Sequence, residues 1–225
     1  MKRLDSLVAP RPRASNEEIY AAALRGETCA VLGLGAEAVA MPVGRWSAGA
    51  DDSDHRVLDR CVGSTIDIGC GPGRMTAALR ERGNLALGID VVPEAVEQAS
   101  ARGATAVVAD VFDEVPHEGG WDTALLADGN IGIGGDPVVL LRRVRALLHD
   151  GGRVVLDLAR PGTGLVTRSL RLRVGELTSE PFRWAAVSAE ALHDIAEAAG
   201  FRVATIEQHG ARWFAELRVG RAPWR

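Results

Sequence analysis

The amino-acid sequence predicts a doubly wound α/β fold, with helices on both faces of a mostly parallel sheet. Three observations predict it. From Thr65 onward short apolar runs alternate with amphipathic segments; the first run ends in a glycine-dense stretch, STIDIGCGPG at 64–73; and 225 residues, 47% of them hydrophobic, suffice for one sizeable core. Strands covered on both faces read as continuous apolar runs, because neither face meets solvent.

The elements follow in order. A Pro/Arg-rich start, residues 1–14, is expected to be disordered, and SNEEIYAAALRGE opens a short helix with Ser15 or Asn16 as cap and Gly26 near its end. Residues 15–62 read as a helical cap, broken at Pro42, Gly44 and Gly49 and helical again from about Asp51. The remainder, 63–225, reads as the main domain. STIDIG is its first strand, RMTAALRERG a helix closed by Gly83, LALGID a strand, and PEAVEQASARG a helix with Pro93 in its first turn and Gly103 as its stop. ATAVVAD and WDTALLAD are the third and fourth strands. PVVLLRRVRALLHDGG is an amphipathic helix with Leu140, Leu141, Val144, Leu147 and Leu148 on one side, and RVVLDLA is the fifth strand. Regularity lapses across an insertion at 160–187, where Leu170, Leu172 and Val174 alternate with polar residues as in a half-exposed strand. SAEALHDIAEAAG is then a helix. FRVATIEQ and ARWFAELRV are the last two strands, and so short a link between them permits a hairpin but not a parallel crossover. The sheet therefore has seven strands, the last of them antiparallel.

Bulk chemistry narrows the function. A net charge of -4 offers no general attraction to nucleic-acid phosphates or anionic lipid. Three widely spaced cysteines, Cys29, Cys61 and Cys70, fit neither a disulfide framework nor a zinc site, so a reducing cytoplasm is expected. No run is long and apolar enough to span a bilayer, and MKRLDSLVAPRPRAS lacks the apolar stretch of a secretion signal. No histidine pairs with cysteine or carboxylate at ligand spacing, so no metal is expected.

Gly69, Gly71 and Gly73 sit where the first strand meets its helix, at the end of a parallel sheet where ligands bind. The first allows a sharp turn, the second close approach of a ligand to bare backbone, the third close approach of the helix. A nucleotide-like ligand is expected. The phosphate-loop pattern is absent, since no lysine follows the glycines. The dinucleotide pattern fails too, because Arg74 occupies its third small position, and Asp67 before the loop suits an ammonium group better than a pyrophosphate. A second glycine pattern, VLGLGAEA at 31–38, lacks the following strand and long helix that would give it meaning, and is expected to be structural.

IDIGCGPG resembles the Asp-x-Gly-x-Gly-x-Gly motif of class I S-adenosylmethionine-dependent methyltransferases, a family with a Rossmann-like seven-stranded sheet. The resemblance covers about residues 60–220, reversed last strand included. It implies that Asp67, Gly69, Cys70, Gly71, Gly73 and Arg74 form the cofactor loop. Asp90, with Val91, ends the second strand 17 positions after Gly73, at the place of the family's ribose-gripping acid. Asp110 and Val111 fall at its adenine station, and Asp128 at its station beside the methionine end and the acceptor. The wording of WDTALLADGNIGIGGDP further resembles small methyltransferases of actinobacteria.

The expected reaction is in-line methyl transfer to a small-molecule acceptor, which asks the protein chiefly for positioning. Asp128 is the candidate base where a proton must leave, with Asn130 beside it in a glycine-rich loop. Arg45 could hold the cofactor's carboxylate, and Trp46 could cover the sulfonium or the acceptor. His55 and His117 lie in segments that could reach the crevice. Arg171 and Arg173 could receive an acidic substrate. The rival readings are a protein that binds S-adenosylmethionine without turnover and an NAD-dependent oxidoreductase. The oligomeric state is open.

Overall fold

The structure is a computed structural model that describes residues 13–220. The elements in chain order are β1 (Arg13–Ala14), α1 (Asn16–Leu24), β2 (Cys29–Leu32), β3 (Val39–Ala40), α2 (Val43–Trp46) and α3 (Asp52–Leu58). Next come β4 (Thr65–Ile68), α4 (Arg74–Glu81), β5 (Ala86–Asp90), α5 (Pro93–Ala101), β6 (Ala106–Val108), β7 (Trp121–Leu126), a 3-10 turn (Asn130–Gly132) and α6 (Pro137–Leu147). The chain ends with β8 (Leu148–Leu158), β9 (Leu165–Val174), β10 (Leu177–Ser179), β11 (Phe182–Val187), α7 (Ala189–Ala198), β12 (Phe201–His209) and β13 (Arg212–Val219).

The main sheet has the order β12-β13-β8-β7-β4-β5-β6. The pairs β4–β5, β4–β7, β5–β6 and β7–β8 are parallel, whereas β13 runs antiparallel to both β8 and β12. These are the seven strands expected, with the last reversed. Strand periodicity explains how the sheet holds two layers of helix: in β7, Ala124 and Leu126 enter the core under α6 and α7, while Leu125 between them packs with Leu58, Met75 and Leu79 of α3 and α4. β8 repeats the division, with Val154 and Leu156 on the first face and Val155 on the second. β8 also begins earlier than expected, directly at the end of α6.

The cap is the main departure from the sequence reading. Segment 15–62 supplies α1, α2 and α3, but β2 and β3 as well, and β2 pairs antiparallel with β9 of the insertion, Val31 opposite Leu172. The insertion folds as three strands, so that the N-terminal segment and residues 165–187 build one second sheet, β1-β10-β9-β2-β3, with β11 also on β9. Most of the expected disordered stretch lies outside the described residues; Arg13 and Ala14 form β1. The VLGLGAEA segment is the β2 end and the turn toward β3, held against β9 rather than opening a ligand loop.

Candidate functional site

A cavity of about 470 Å³ lies between the carboxyl ends of β4, β5 and β7 and the second sheet. Its floor is the glycine loop. Gly71 has φ +53°, and its amide donates to Asp90 Oδ2 at 2.9 Å, while Val92 N–H donates to Asp90 Oδ1 at 2.9 Å. The end of β5 thus fixes both the loop and the direction of the Asp90 carboxylate. Gly73, at φ +80°, opens α4, and a Cβ there would stand 2.6 Å from the Ala99 methyl on α5. Its role is helix packing. Cys70 is buried, which raises its thiol pKa, and its sulfur packs against Gly88 of β5.

Asp67, in β4, is sealed from solvent and accepts a 2.6 Å hydrogen bond from the Thr76 hydroxyl. Burial pushes its carboxyl up to about 6 in spite of that bond. Asp90 is raised as well, again by burial, against the backbone amides of Val92, Gly71 and Val91 that favour its charged form. Asp110 binds the Phe112 amide, and with Val91 and Val111 it lines the cavity beyond β5 and β6.

Behind this floor stands a chain of buried charges. Arg74, only 3% exposed, pairs with Asp54 of α3 and with Asp128 after β7. Arg212 of β13 also pairs with Asp54 and grips both oxygens of Asp157, at 2.7 and 2.6 Å. Asp157 in turn accepts the Asp128 amide at 2.6 Å, which holds Asp128 in the left-handed conformation at φ +51°. Burial opposes ionisation of Asp54, but hydrogen bonds from Arg74, the Asp51 amide and Arg212 outweigh it and hold its pKa at about 2. Arg45 lies 3.8 Å from Asp54 and 3.9 Å from Asp128, behind the cavity wall rather than in it. Asn130 donates to the Ile68 and Gly69 carbonyls at 2.8 and 2.9 Å, tying the loop after β7 to the glycine loop.

The second sheet roofs the cavity with Leu170, Leu172, Phe182 and Trp184, while Tyr20 and Trp46 close it from α1 and α2. Four residues expected near the substrate are elsewhere. His55 follows the buried Asp54 by one position, so the helix turns it away, and it contacts Arg82 of α4 at 2.7 Å. Arg171 and Arg173 alternate with Leu170 and Leu172 along β9, so they take the opposite face of the lid; Arg171 donates to the Ser179 carbonyl. His117 packs edge-on against Trp121. Tyr20, Phe182, Trp184, Asp54 and Arg212 escaped the sequence reading. The roof residues Leu170 and Leu172, in contrast, carried a signal in the apolar alternation of β9.

Comparison with known proteins bears on this geometry. The model of a methyltransferase-domain family matches residues 49–206, more than half of the chain. The chain belongs to this methyltransferase family. With its glycine motif, it is a class I S-adenosylmethionine-dependent enzyme. Among solved structures, a SAM-dependent methyltransferase from Bacteroides fragilis in complex with S-adenosylhomocysteine is 22% identical; it covers 95% of this chain and 98% of its own, with a TM-score of 0.78. The Burkholderia thailandensis 1,6-didemethyltoxoflavin-N1-methyltransferase, with bound 1,6-didemethyltoxoflavin and S-adenosylhomocysteine, is 18% identical; it covers 98% and 99%, with a TM-score of 0.59. At these identities the likeness is one of fold, and its coverage takes in lid as well as core. The methyltransferase fits its cofactor in chemistry also: a carboxylate oriented by two backbone amides and a glycine at positive φ floor a cavity large enough for a nucleoside.

Proposed function

We propose that this enzyme methylates a small-molecule acceptor enclosed between the glycine loop and the second sheet. The observation that carries the reading is the cavity itself, floored by Asp90 and Gly71 and roofed by Leu170, Leu172, Phe182 and Trp184, with a volume in the range of small-molecule sites. Bound S-adenosylmethionine supplies an activated methyl group. Asp90 takes the ribose hydroxyls through its remaining lone pairs, Val91, Asp110 and Val111 surround the adenine, and Gly69, Gly71 and Asp67 border the methionine portion. Asp128 meets the ammonium group. Its carboxylate is already committed to Arg74 and Arg45, so it serves as an anchor rather than as the base. Asn130, whose amide group is engaged by two carbonyls, positions the loop. Arg45 sets Asp128. The roof excludes water and holds the acceptor in line, which is the part of the reaction that a protein must supply.

The toxoflavin enzyme acts on a small heterocycle, which supports an acceptor of that size. We also place the chain, on the wording of segment 121–137, with small actinobacterial-type methyltransferases, acting in the cytoplasm; its three free cysteines are all buried. No helix among the described residues is long and apolar enough to cross a membrane. The test is a transfer assay with methyl-labelled cofactor on cell extract split by size. Label is expected in the low-molecular-weight fraction, and label confined to protein or nucleic acid would refute the reading.

A further inference from the structure

The composition of the cavity wall is unlike that of the chain. The protein has five tryptophans, four phenylalanines and one tyrosine, and Tyr20, Trp46, Phe182 and Trp184 all line this one cavity. They form two edge-to-face pairs. Tyr20 and Trp46 have centroids 6.0 Å apart, and the Tyr20 hydroxyl lies 3.3 Å from where a Gly71 Cβ would be, so this pair belongs to the cofactor loop. Phe182 and Trp184, 6.3 Å apart, belong to the lid. A Cβ on Gly132 would lie 2.5 Å from Trp184 Nε1, so the indole is wedged against the turn after β7, where β11 also bridges Ile133. Leu170 and Leu172 extend the same apolar surface.

The charges point the same way. Glu17, Asp67, Asp90, Asp110 and Asp128 line the cavity, and among the described residues Arg74 is its only cation, already paired with Asp54 and Asp128. No histidine lines it. Four of these acids face the cofactor in the reading above, which leaves Glu17 and no free cation to hold an anionic acceptor, at a cost that a low-dielectric site magnifies. A flat ring, in contrast, finds aromatic edges and aliphatic faces.

We propose that the acceptor is an uncharged planar heteroaromatic, seated against Phe182 and Trp184, whose ring nitrogen is methylated. This deepens the small-molecule reading and rests on it. In the transfer the nitrogen lone pair forms the new N–C bond as the C–S bonding pair returns to sulfur. The positive charge moves from sulfur to the ring, and no proton needs a base. That agrees with a wall in which Asp128 is ion-paired and Asn130 is engaged.

The experiment uses the full chain loaded with S-adenosylhomocysteine and three probes of one bicyclic skeleton at pH 8: neutral planar isoquinoline, anionic isoquinoline-1-carboxylate and decahydroisoquinoline, which is puckered and cationic. Dissociation constants come from saturation-transfer NMR. Isoquinoline is expected to bind at least tenfold more tightly than either of the others. Trp184→Leu should weaken isoquinoline at least fivefold with homocysteine-product affinity unchanged, and Trp184→Phe should restore most of it. Equal or tighter binding of the carboxylate or of the saturated ring would overturn the proposal. So would a Trp184→Leu protein with normal melting and unchanged isoquinoline affinity. Failure of the wild-type chain to bind S-adenosylhomocysteine would instead overturn the underlying reading, and the acceptor proposal with it.

Discussion

Two buried aspartates, both under the influence of the Arg74 charge, respond to pH in opposite directions. Asp54 is held at about 2 because Arg74 and Arg212 bind its charged form, although burial opposes this. Its stabilisation is complete above an unfolded carboxylate's pKa of about 4 and is lost as pH falls toward 2. Asp67, raised to about 6 chiefly by burial, does the reverse. Between pH 4 and 6 the folded protein holds a proton that the unfolded chain has released, so stability from this group falls as pH rises, by about 3 kcal/mol over two units. Urea unfolding at pH 4.5 and 7 is expected to show Asp67→Asn gaining stability relative to wild type at the higher pH; an offset independent of pH would contradict the assignment. Asp54→Ala, which leaves two guanidinium groups without their shared partner, should cost about 3–5 kcal/mol at pH 7. The acids at the strand ends were legible in the sequence because local spacing puts them there. Asp54 was not, since its partners Arg74 and Arg212 are distant in sequence, and nothing local distinguishes it from the other acids of DDSDH.

At the scale of elements, β4 through β8 followed directly from apolar runs and helix stops, because a strand buried on both faces leaves a continuous signature. The lid did not. β2 is only four residues and β3 two, and each becomes a strand by pairing with a segment more than a hundred residues away or with the other. The alternation of β9 was visible, but not which face would meet the site; the arginines were assigned to substrate, and the leucines turned out to line the cavity. Gly33 tests this arrangement. It has φ +96°, and a Cβ would lie 2.6 Å from the Ser169 carbonyl oxygen of β9. Gly33→Val should therefore displace the β2 turn from β9 without touching the main sheet. Raised acceptor KM, with S-adenosylhomocysteine affinity within about twofold of wild type, is expected. Unchanged kinetics on a folded variant would remove the lid from acceptor binding.

For the whole molecule, one site is assembled from three sources: strand ends of a parallel sheet, an N-terminal segment, and an insertion between β8 and α7. The division follows the chemistry. The cofactor is the same whatever is methylated, so the strand-end acids are legible as a motif, whereas the roof is where acceptors can differ. A ligand bound only by this assembled fold should stabilise it by about 2.7 kcal/mol at one hundred times its dissociation constant. In a chain of this size that is roughly 5–10 °C in Tm. S-adenosylmethionine and S-adenosylhomocysteine are expected to give such a shift, and NAD none. The most direct measurement is calorimetric titration of S-adenosylhomocysteine into wild type and Asp90→Asn, with circular dichroism to show that the variant remains folded. The amide keeps the shape of Asp90 but not its paired acceptor oxygens, so binding at least tenfold weaker, about 1.4 kcal/mol, is expected. Equal affinity of the two proteins would contradict the placement of the cofactor on the floor of this cavity.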